Sequence, residues 1–374
     1  MKTTMTRRVM PWGLLPILLS GGMSVSAWAR QAQPGAEKPS DAPRVENARM
    51  ETQSVTGTLA ATIGEAQKNA APMWLAYAVK AAPGRTLCCG NYNNGSSVVC
   101  GKCDLEMEHA HWNESTGGTV KLEGDQRLVV LLRLQDHHVM RIRLASEDCV
   151  LDASGLPFLW LTGVHAPESV GVLSEYVRKE GAGEKRSIGN EALMAIALHD
   201  GAEAQNALDS FTALGQPEEL RKQTAFWMGL ARGQDGLAVL QRMARKDPST
   251  EVRAHVAFAL NVSKEPAALD EMIRMAHEDE SAHVRGQAIF WLAQKAGKRA
   301  VSAIDGAIEN DPDTEVKKQA VFALSQLPKD EGVPKLIQVA ENNRNPQVRK
   351  QAMFWLGQSQ DPRVLDFFEK VLTR

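Results

Sequence analysis

Cysteine is the residue type in this chain whose spacing is best suited to chemistry. Cys100 and Cys103 are separated by two residues, which is the gap of a zinc knuckle or of a redox-active pair. Cys88 and Cys89 lie shortly before them, and Cys149 lies further along. Four thiolates can bind zinc, a dithiol can exchange with a disulfide, and bonded cysteines can staple a small domain.

Disulfides are the use of these cysteines that the sequence favours. Adjacent cysteines are awkward ligands on one tetrahedral ion, and the segment around Cys100 is rich in turns rather than in thioredoxin-like strands and helices. We therefore expect disulfides and no cofactor, with thiol redox chemistry or zinc as alternatives. The zinc ligands in that alternative are Cys88, Cys89, Cys100 and Cys103. The pairing stays open: Cys149 is the simplest odd cysteine, and a bond from it to Cys88 or Cys89 is also sensible.

The N-terminus predicts an oxidising compartment. Lys2, Arg7 and Arg8 precede an apolar stretch, and Ala27-Trp28-Ala29 is a small-x-small cleavage sequence. Residues 1–29 are therefore predicted to be a signal peptide, of the general Sec type rather than the twin-arginine type. We expect a periplasmic or secreted protein, in which disulfides persist.

Composition disfavours several classes of function. Hydrophobic residues make up 43% and charged residues 24% of the chain, which is typical of a soluble globular protein, and no later apolar run is long enough to span a bilayer. The net charge is -2, and removal of residues 1–29, with three basic and no acidic residues, lowers it to -5. Binding to nucleic acid is therefore not expected, because it needs a concentrated basic surface.

The elements that must position the cysteines form a small β-rich region. Residues 30–58 are polar and aperiodic and are predicted to be a disordered linker. Residues 59–167 are predicted to be a small α+β domain. Within it, Arg127–Leu134 and Val139–Leu144 are apolar runs on either side of a polar turn, which predicts a hairpin. Alternation in the second run predicts one buried and one solvated face.

A 32-residue repeat fills residues 187–374. One position is basic in five successive units, namely Arg221, Arg253, Arg285, Lys317 and Arg349. A leucine or valine precedes each of them, a phenylalanine follows five residues later, and a degenerate unit begins near Ile188. Each unit has two helical patterns separated by a turn. Neither helix can bury its apolar stripe alone, so the units are expected to stack.

The pattern Val-Arg-x-x-Ala-x-x-x-Leu after an Asp-containing turn resembles the short HEAT repeats named after phycobilisome lyases. The whole layout also resembles secreted bacterial HEAT-repeat proteins of unassigned activity. The resemblance implies a mainly α fold, a right-handed α-solenoid of about six helical hairpins after the small β-rich domain. It also implies a hydrogen-bonded ladder between adjacent turns. The ladder residues are Asp247, Arg253, Asp279, Arg285, Asp311, Lys317 and Arg349. Lys317 and Asn343 depart from the pattern and are expected to weaken two rungs.

Two enzyme branches of this repeat family fit the sequence poorly. Phycobilin lyases attach chromophores in photosynthetic cells, which an export signal does not suit. Deoxyhypusine hydroxylases bind iron through several His-Glu pairs at repeat spacing, whereas His277-Glu278 has no companion one repeat away. We expect a binding protein rather than an enzyme, with a lyase-like or oxidoreductase-like activity as the alternative.

The second helix of each unit carries a further stripe opposite its core stripe. At about 100° per residue, a recurring phenylalanine and a recurring glutamine fall on this side, and the resemblance implies that it lines the concave surface. These residues are Phe226, Phe258, Phe290, Phe322, Phe354, Gln223, Gln287, Gln319 and Gln351. We expect a monomer that binds a protein or peptide here. The alternative is that the rings only pack between neighbouring helices.

Overall fold

The β-rich region contains eight strands within the residues that the structure describes. The structure, a computed structural model, describes residues 42–83, 102–107, 127–147, 149–181, 187–295 and 297–373. The strands are β1 (Val45–Glu46), β2 (Arg49–Ser54), β3 (Met73–Lys80), β4 (Lys102–Asp104), β5 (Arg127–Gln135), β6 (His138–Ser146), β7 (Val150–Asp152) and β8 (Pro157–Thr162).

Five of these strands form the main sheet, in the order β2-β8-β3-β5-β6. β8 is parallel to both of its neighbours, and β5 and β6 form the hairpin that the sequence predicts. The central strand β3 is buried on both faces. Trp74 and Ala76 face a core shared with the smaller sheet β1-β7-β4, whereas Leu75 and Tyr77 face a core shared with helices.

The predicted linker over residues 30–58 needs correction in its second half. β1 and β2 lie within residues 45–54, and β2 pairs in register with β8 along its whole length. Its side chains are exposed, so the polar composition reflects an edge strand held by backbone hydrogen bonds rather than disorder. Residues 1–41, including the predicted signal peptide, lie outside the described residues.

The alternation predicted for the second strand of the hairpin fails at Met140. The register shifts there, because Leu134 pairs with Val139 whereas Arg133 pairs with Arg141. Met140 is the extra residue of a β-bulge and is exposed. The bulge therefore brings Val139 into the same core as the later apolar residues of β6.

Fourteen helices lie within the described residues, so the protein is mainly α, as the sequence predicts. The first helix precedes the array, the next twelve form six successive hairpins, and the last one follows them. The helices are α1 (Leu59–Ala66), α2 (Ala166–Glu180), α3 (Ile188–Leu198), α4 (Ala202–Phe211), α5 (Glu218–Ala231), α6 (Gly233–Lys246), α7 (Thr250–Val262), α8 (Ala267–Glu278), α9 (Ala282–Lys295), α10 (Lys298–Asn310), α11 (Thr314–Ser325), α12 (Lys329–Asn342), α13 (Pro346–Gly357) and α14 (Pro362–Leu372).

The odd-numbered helices from α5 to α13 form the inner side of the array. Each packs closely against the next odd-numbered helix, whereas successive even-numbered helices contact each other at few positions. A stack that is tight on one side and open on the other curves toward the tight side. The phenylalanine and glutamine stripe therefore lies on the concave surface. No helix within the described part of the chain has the length and apolar character needed to cross a membrane.

The sheet and the array share one core and belong to one compact unit, Ala42–Arg374. A buried chain of hydrogen bonds ties them together. Tyr77 Oη lies 2.9 Å from Ser169 Oγ, which lies 2.8 Å from His199 Nε2. His199 Nδ1 lies 2.7 Å from the Ala195 carbonyl oxygen and therefore donates to it. Burial lowers the pKa of His199 to about 4, so the ring is neutral and its Nε2 accepts a hydrogen bond from the Ser169 hydroxyl.

Candidate functional site

The recurring phenylalanines form a continuous row of rings along the inner side of the array. Phe226 stacks on Phe258 with ring centroids 5.7 Å apart, and Phe290 stacks on Phe322 at 6.3 Å. The intervening tryptophans close the gaps, since Trp291 lies 4.8 Å from Phe258. The row therefore crosses five helices, and offset ring pairs of this kind stabilise one another.

The alternation of tryptophan and alanine beside the phenylalanines explains how these helices fit together. Trp291 on α9 reaches Phe258 on α7, and Trp355 on α13 reaches Phe322 on α11 at 4.9 Å. The helices between carry Ala259 and Ala323 at the same position, and both alanines are buried. A large side chain thus fits beside a small one, which lets successive inner helices approach closely.

The rings also present a surface. Phe226, Phe258, Phe290 and Phe322 are partly buried, and Phe354 is 53% exposed. The two interpretations of the stripe are therefore not exclusive, because each ring packs between helices and leaves part of its face accessible.

The glutamine row lies on the same side but does not form one uniform set. Gln223, Gln287 and Gln351 are partly buried, and Gln223 Nε2 donates to Glu219 Oε1 at 2.9 Å. Gln319 instead lies across Gly286 of the preceding inner helix, where a β-carbon would overlap its side-chain oxygen. That oxygen is the far end of a flexible side chain, which could move aside for a β-carbon at position 286.

A cavity of about 390 Å³ opens on this face between α5, α7 and α9. Phe258 and Trp291 form its aromatic wall, and Ala254 contributes its small side chain. Its polar lining is Lys222, Glu251, His255, His283 and Gln287. The cavity combines apolar surface with hydrogen-bonding groups, as ligand sites in proteins do.

The histidine of the cavity has an unusual environment. His255 Nε2 is buried and has no hydrogen-bond partner, while its ring packs edge-on to Phe258 at 5.5 Å. Burial lowers the pKa of His255, and the nearby Lys222 ammonium lowers it further. The ring is therefore neutral at pH 7, and its buried nitrogen lacks the hydrogen-bond partner that a buried polar atom normally has.

The turn edge of the array carries a ladder of buried ion pairs. Arg253 donates from Nε and Nη2 to the two carboxylate oxygens of Asp279, at 2.9 and 3.1 Å, and Arg285 binds Asp311 in the same way at 2.7 and 3.0 Å. Each arginine also donates from Nη1 to a backbone carbonyl of its own turn, as Arg253 does to Asp247 at 3.0 Å. Each rung therefore joins two successive hairpins.

Comparison with known families identifies the repeat. The family model described as HEAT repeats matches residues 208–293, 273–342 and 304–374. Residues 208–374 are HEAT repeats. No curated protein matches it at a significant level.

Solved structures with similar folds include the CpcE–CpcF complex of phycocyanin lyase from Nostoc sp., at 21% identity and a TM-score of 0.32, covering 42% of this chain and 98% of that one. Human deoxyhypusine hydroxylase with glycerol matches at 15% identity and a TM-score of 0.25, covering 55% and 89%. Kap95p, from a structure of its binding to RanGDP, matches at 16% identity and a TM-score of 0.32, covering 50% and 30%. At these low identities and TM-scores, none of the three carries an argument about what this chain does.

The HEAT ladder differs from the predicted one in the number of its altered rungs. Asp247, Asp279 and Asp311 bind the arginine of the preceding repeat, 26 residues earlier, through their side chains, and the first rung is Arg221 with Asp247. Lys317 and Asn343 are therefore the two ends of a single rung, so one rung is altered and not two.

The altered rung keeps its turn but has lost its ion pair. Asn343 Oδ1 accepts from the Asn345 amide at 2.9 Å, as Asp311 Oδ1 does from the Asp313 amide at 2.8 Å. Lys317 Nζ donates instead to the Glu309 carbonyl at 2.8 Å. An amide side chain thus supports the turn, but it cannot replace the carboxylate in an ion pair. Arg349 donates from Nη1 to the Asn343 carbonyl at 2.7 Å, which is the backbone bond that Arg253 and Arg285 make in their own turns.

Two of the five cysteines lie in described residues. Cys103 and Cys149 are both buried in the core between the two sheets. Cys88, Cys89 and Cys100 lie outside the described residues, so the disulfides and the zinc site that involve them remain predictions. Within the described part of the chain, no group of three or more histidine, cysteine or acidic residues is arranged to hold a metal ion.

The cavity is the feature that the repeat pattern did not predict. The inner helices carry lysine at one position in three repeats, namely Lys222, Lys318 and Lys350, whereas the two central repeats carry Ala254 and Gly286 there. Ala254 lines the cavity and leaves room there, whereas the Gln319 side chain lies across Gly286. The departures from the repeat, rather than the repeat itself, were the signal that could have located the cavity.

Proposed function

We propose that this HEAT-repeat protein is an exported scaffold that binds a protein or peptide along its concave face. The observation that carries the proposal is the row of half-buried aromatic rings across five inner helices, with an open, polar-lined cavity beside it. Aromatic side chains dominate protein-binding surfaces, because they bury a large area with little loss of conformational freedom. An extended chain laid along this row covers the exposed ring faces.

The glutamines give the same face its hydrogen-bonding capacity. Gln287 lines the cavity, and Gln351 lies two repeats further along the row. An amide both donates and accepts, so it suits the alternating N–H and C=O groups of an extended peptide. The combination favours a peptide backbone over an apolar small molecule as the occupant.

Export and disulfide formation belong to the proposal. The basic start, the apolar stretch and the Ala27-Trp28-Ala29 sequence support a cleaved signal, and the five cysteines of the β-rich region suit an oxidising compartment, in which disulfides persist. N-terminal sequencing of the protein recovered from its native compartment tests this directly. A mature chain that begins at Arg30 is the expected result, and a chain that retains Met1 in the cytoplasm contradicts export.

The experiment on the concave face replaces Gln287 and Gln351 by alanine and leaves the rings in place. Co-purification from the native compartment is expected to recover at least about tenfold less partner with this double variant than with the wild type. The matched control is Asp270→Ala with Arg299→Ala, which removes an exposed ion pair from the outer helices α8 and α10. Equal recovery with both double variants contradicts binding at the concave face.

A further inference from the structure

The cavity on the concave face lies between α5, α7 and α9, where Ala254 departs from the repeat pattern. Its deepest polar groups are basic. Lys222 has a side chain only 27% exposed, and His255 Nε2 is buried without a partner. The acidic group of the lining, Glu251, is 67% exposed and lies 3.7 Å from His283 at the rim. Charges that are shielded from solvent act more strongly on a ligand than exposed ones do.

The two deep groups retain unused hydrogen-bonding capacity. Lys222 Nζ lies 2.6 Å from Glu219, which occupies one of its three donors. Protonated His255 would add a second cationic donor at its buried nitrogen. A buried polar atom without a partner is costly, so a ligand that supplies the partner gains affinity there. The apolar wall of Phe258 and Trp291 lies beside these groups in the same cavity.

We propose that this cavity is a specificity pocket for an acidic side chain, aspartate or glutamate, of the bound peptide. The carboxylate lies between Lys222 and His255, and an apolar neighbour in the peptide packs on Phe258 and Trp291. The carboxylate satisfies the two basic donors through charge-assisted hydrogen bonds. This inference rests on the proposed function, because it names the kind of peptide that the concave face selects.

The arrangement couples binding to proton uptake. In the absence of ligand, burial and Lys222 lower the pKa of His255. The charged groups that face this histidine are Lys222 and Glu219 from α5, Glu251 from its own helix and His283 from α9. A bound carboxylate favours the imidazolium form and raises that pKa. Affinity therefore increases as pH falls below neutrality, until the ligand carboxylate itself takes up a proton.

An immobilised array of acetylated pentapeptide pools tests the proposal. The central residue of each pool is fixed as Asp, Glu, Asn, Gln or Lys, and the other four positions are randomised. The labelled full chain at pH 7 is expected to bind the Asp and Glu pools at least about tenfold more strongly than the Asn, Gln and Lys pools. The preference is expected to increase at pH 6.

Two variants and one matched control assign the preference to the cavity. His255→Gln restores the residue found in the four other repeats, and Lys222→Met removes the ammonium, so each is expected to abolish the preference for acidic pools. Lys350→Met changes the equivalent position of the last HEAT unit, outside the cavity, and is expected to retain it. Unchanged thermal unfolding of each variant excludes misfolding as the cause of a loss.

The outcomes separate this inference from the proposed function. Binding without a preference for acidic pools, a preference for the Lys pool, or an acidic preference that survives both cavity variants overturns the pocket assignment and leaves concave-face binding intact. Absence of binding to every pool also overturns the pocket assignment. Loss of the partner from the Gln287 and Gln351 variant remains the separate test of the proposed function.

Discussion

The two halves of the array differ in how their hairpins are joined. From α5 to α10, buried arginine–aspartate pairs tie each hairpin to the next, and the core continues under the sheet. From α11 onward, Lys317 and Asn343 replace one such pair, and the last helix exposes Leu365 and Leu372 at 68% and 84%. The ion pairs that join successive hairpins are therefore complete in the first part of the array and incomplete in the last part.

This difference teaches that repeats of one pattern need not be equally stable. In a solenoid, stability is the sum of local terms and of interfaces between neighbours, so one altered rung weakens one interface. The cavity lies in the half with intact rungs. A fixed spacing between α5, α7 and α9 keeps its basic groups and its aromatic wall in place, whereas the C-terminal hairpins can open locally at lower free energy.

The largest loss of stability is expected when the ion pair of an intact rung is broken. Arg253→Met leaves Asp279 buried without its partner, and we expect the free energy of unfolding to fall by about 3–5 kcal/mol. Lys317→Met is the matched control at the altered rung and is expected to lower it by less than about 1 kcal/mol. Urea denaturation of both variants measures the difference. Similar losses would show that the two halves are joined equally well.

The second largest loss of stability is expected at the junction between the sheet and the array, and this loss depends on pH. The pKa of His199 is about 4 in the folded protein, below its ordinary value of 6.5. As pH falls, the unfolded chain takes up this proton first, so the contribution of His199 is present above pH 6.5 and is lost toward pH 4. The expected loss is about 3 kcal/mol, at about 1.4 kcal/mol per pH unit.

His199→Asn separates this contribution from that of the other titrating groups. Denaturant titrations at several pH values are expected to give a smaller decrease for the variant between pH 6.5 and 4 than for the wild type. Parallel curves for the two proteins would mean that His199 titrates normally and that the hydrogen-bond chain through Ser169 does not hold the ring neutral.

Restoring the ion pair at the altered rung tests the same difference between the two halves of the array in the opposite direction. Lys317→Arg combined with Asn343→Asp recreates the pair found in the earlier repeats, and we expect it to raise the free energy of unfolding by about 1 kcal/mol. A double-mutant cycle is expected to show a favourable coupling of about 0.5–3 kcal/mol between the two positions. Hydrogen exchange of α11 to α14 reports whether these helices then open less often. Absence of coupling would show that position 317 no longer reaches position 343.

The turn ladder shows which features of the array the sequence could predict and which it could not. The 32-residue period predicts the hairpins, because five equally spaced basic residues and phenylalanines are incompatible with an irregular fold. The same period does not show which aspartate pairs with which arginine. Asp279 stands 6 residues before Arg285 and 26 after Arg253, so both partners fit the pattern, and only the stacking of hairpins selects the earlier one.

The candidate site could also be predicted only in part, because part of it depends on how several helices pack together. The phenylalanine and glutamine stripe follows from helical periodicity, since it depends on one helix at a time. The cavity depends on three helices at once, because Ala254 leaves space that Trp291 and Lys222 border from either side. The strand β2 was missed for the same kind of reason, since its exposed polar residues are held by pairing with a distant strand.

The smallest effect is expected at the end of the aromatic row. Phe354 is 53% exposed and packs edge-on to Trp355 of its own helix, whereas Phe290 also stacks on Phe322 of the next helix. Phe354→Ser is therefore expected to lower the free energy of unfolding by less than about 1 kcal/mol. Phe290→Ser serves as the comparison and is expected to cost about 3 kcal/mol, because it leaves a gap between packed helices. Equal losses of unfolding free energy in urea denaturation would mean that α13 is packed as firmly as α9. The two parts of the array would then differ only in their ion pairs.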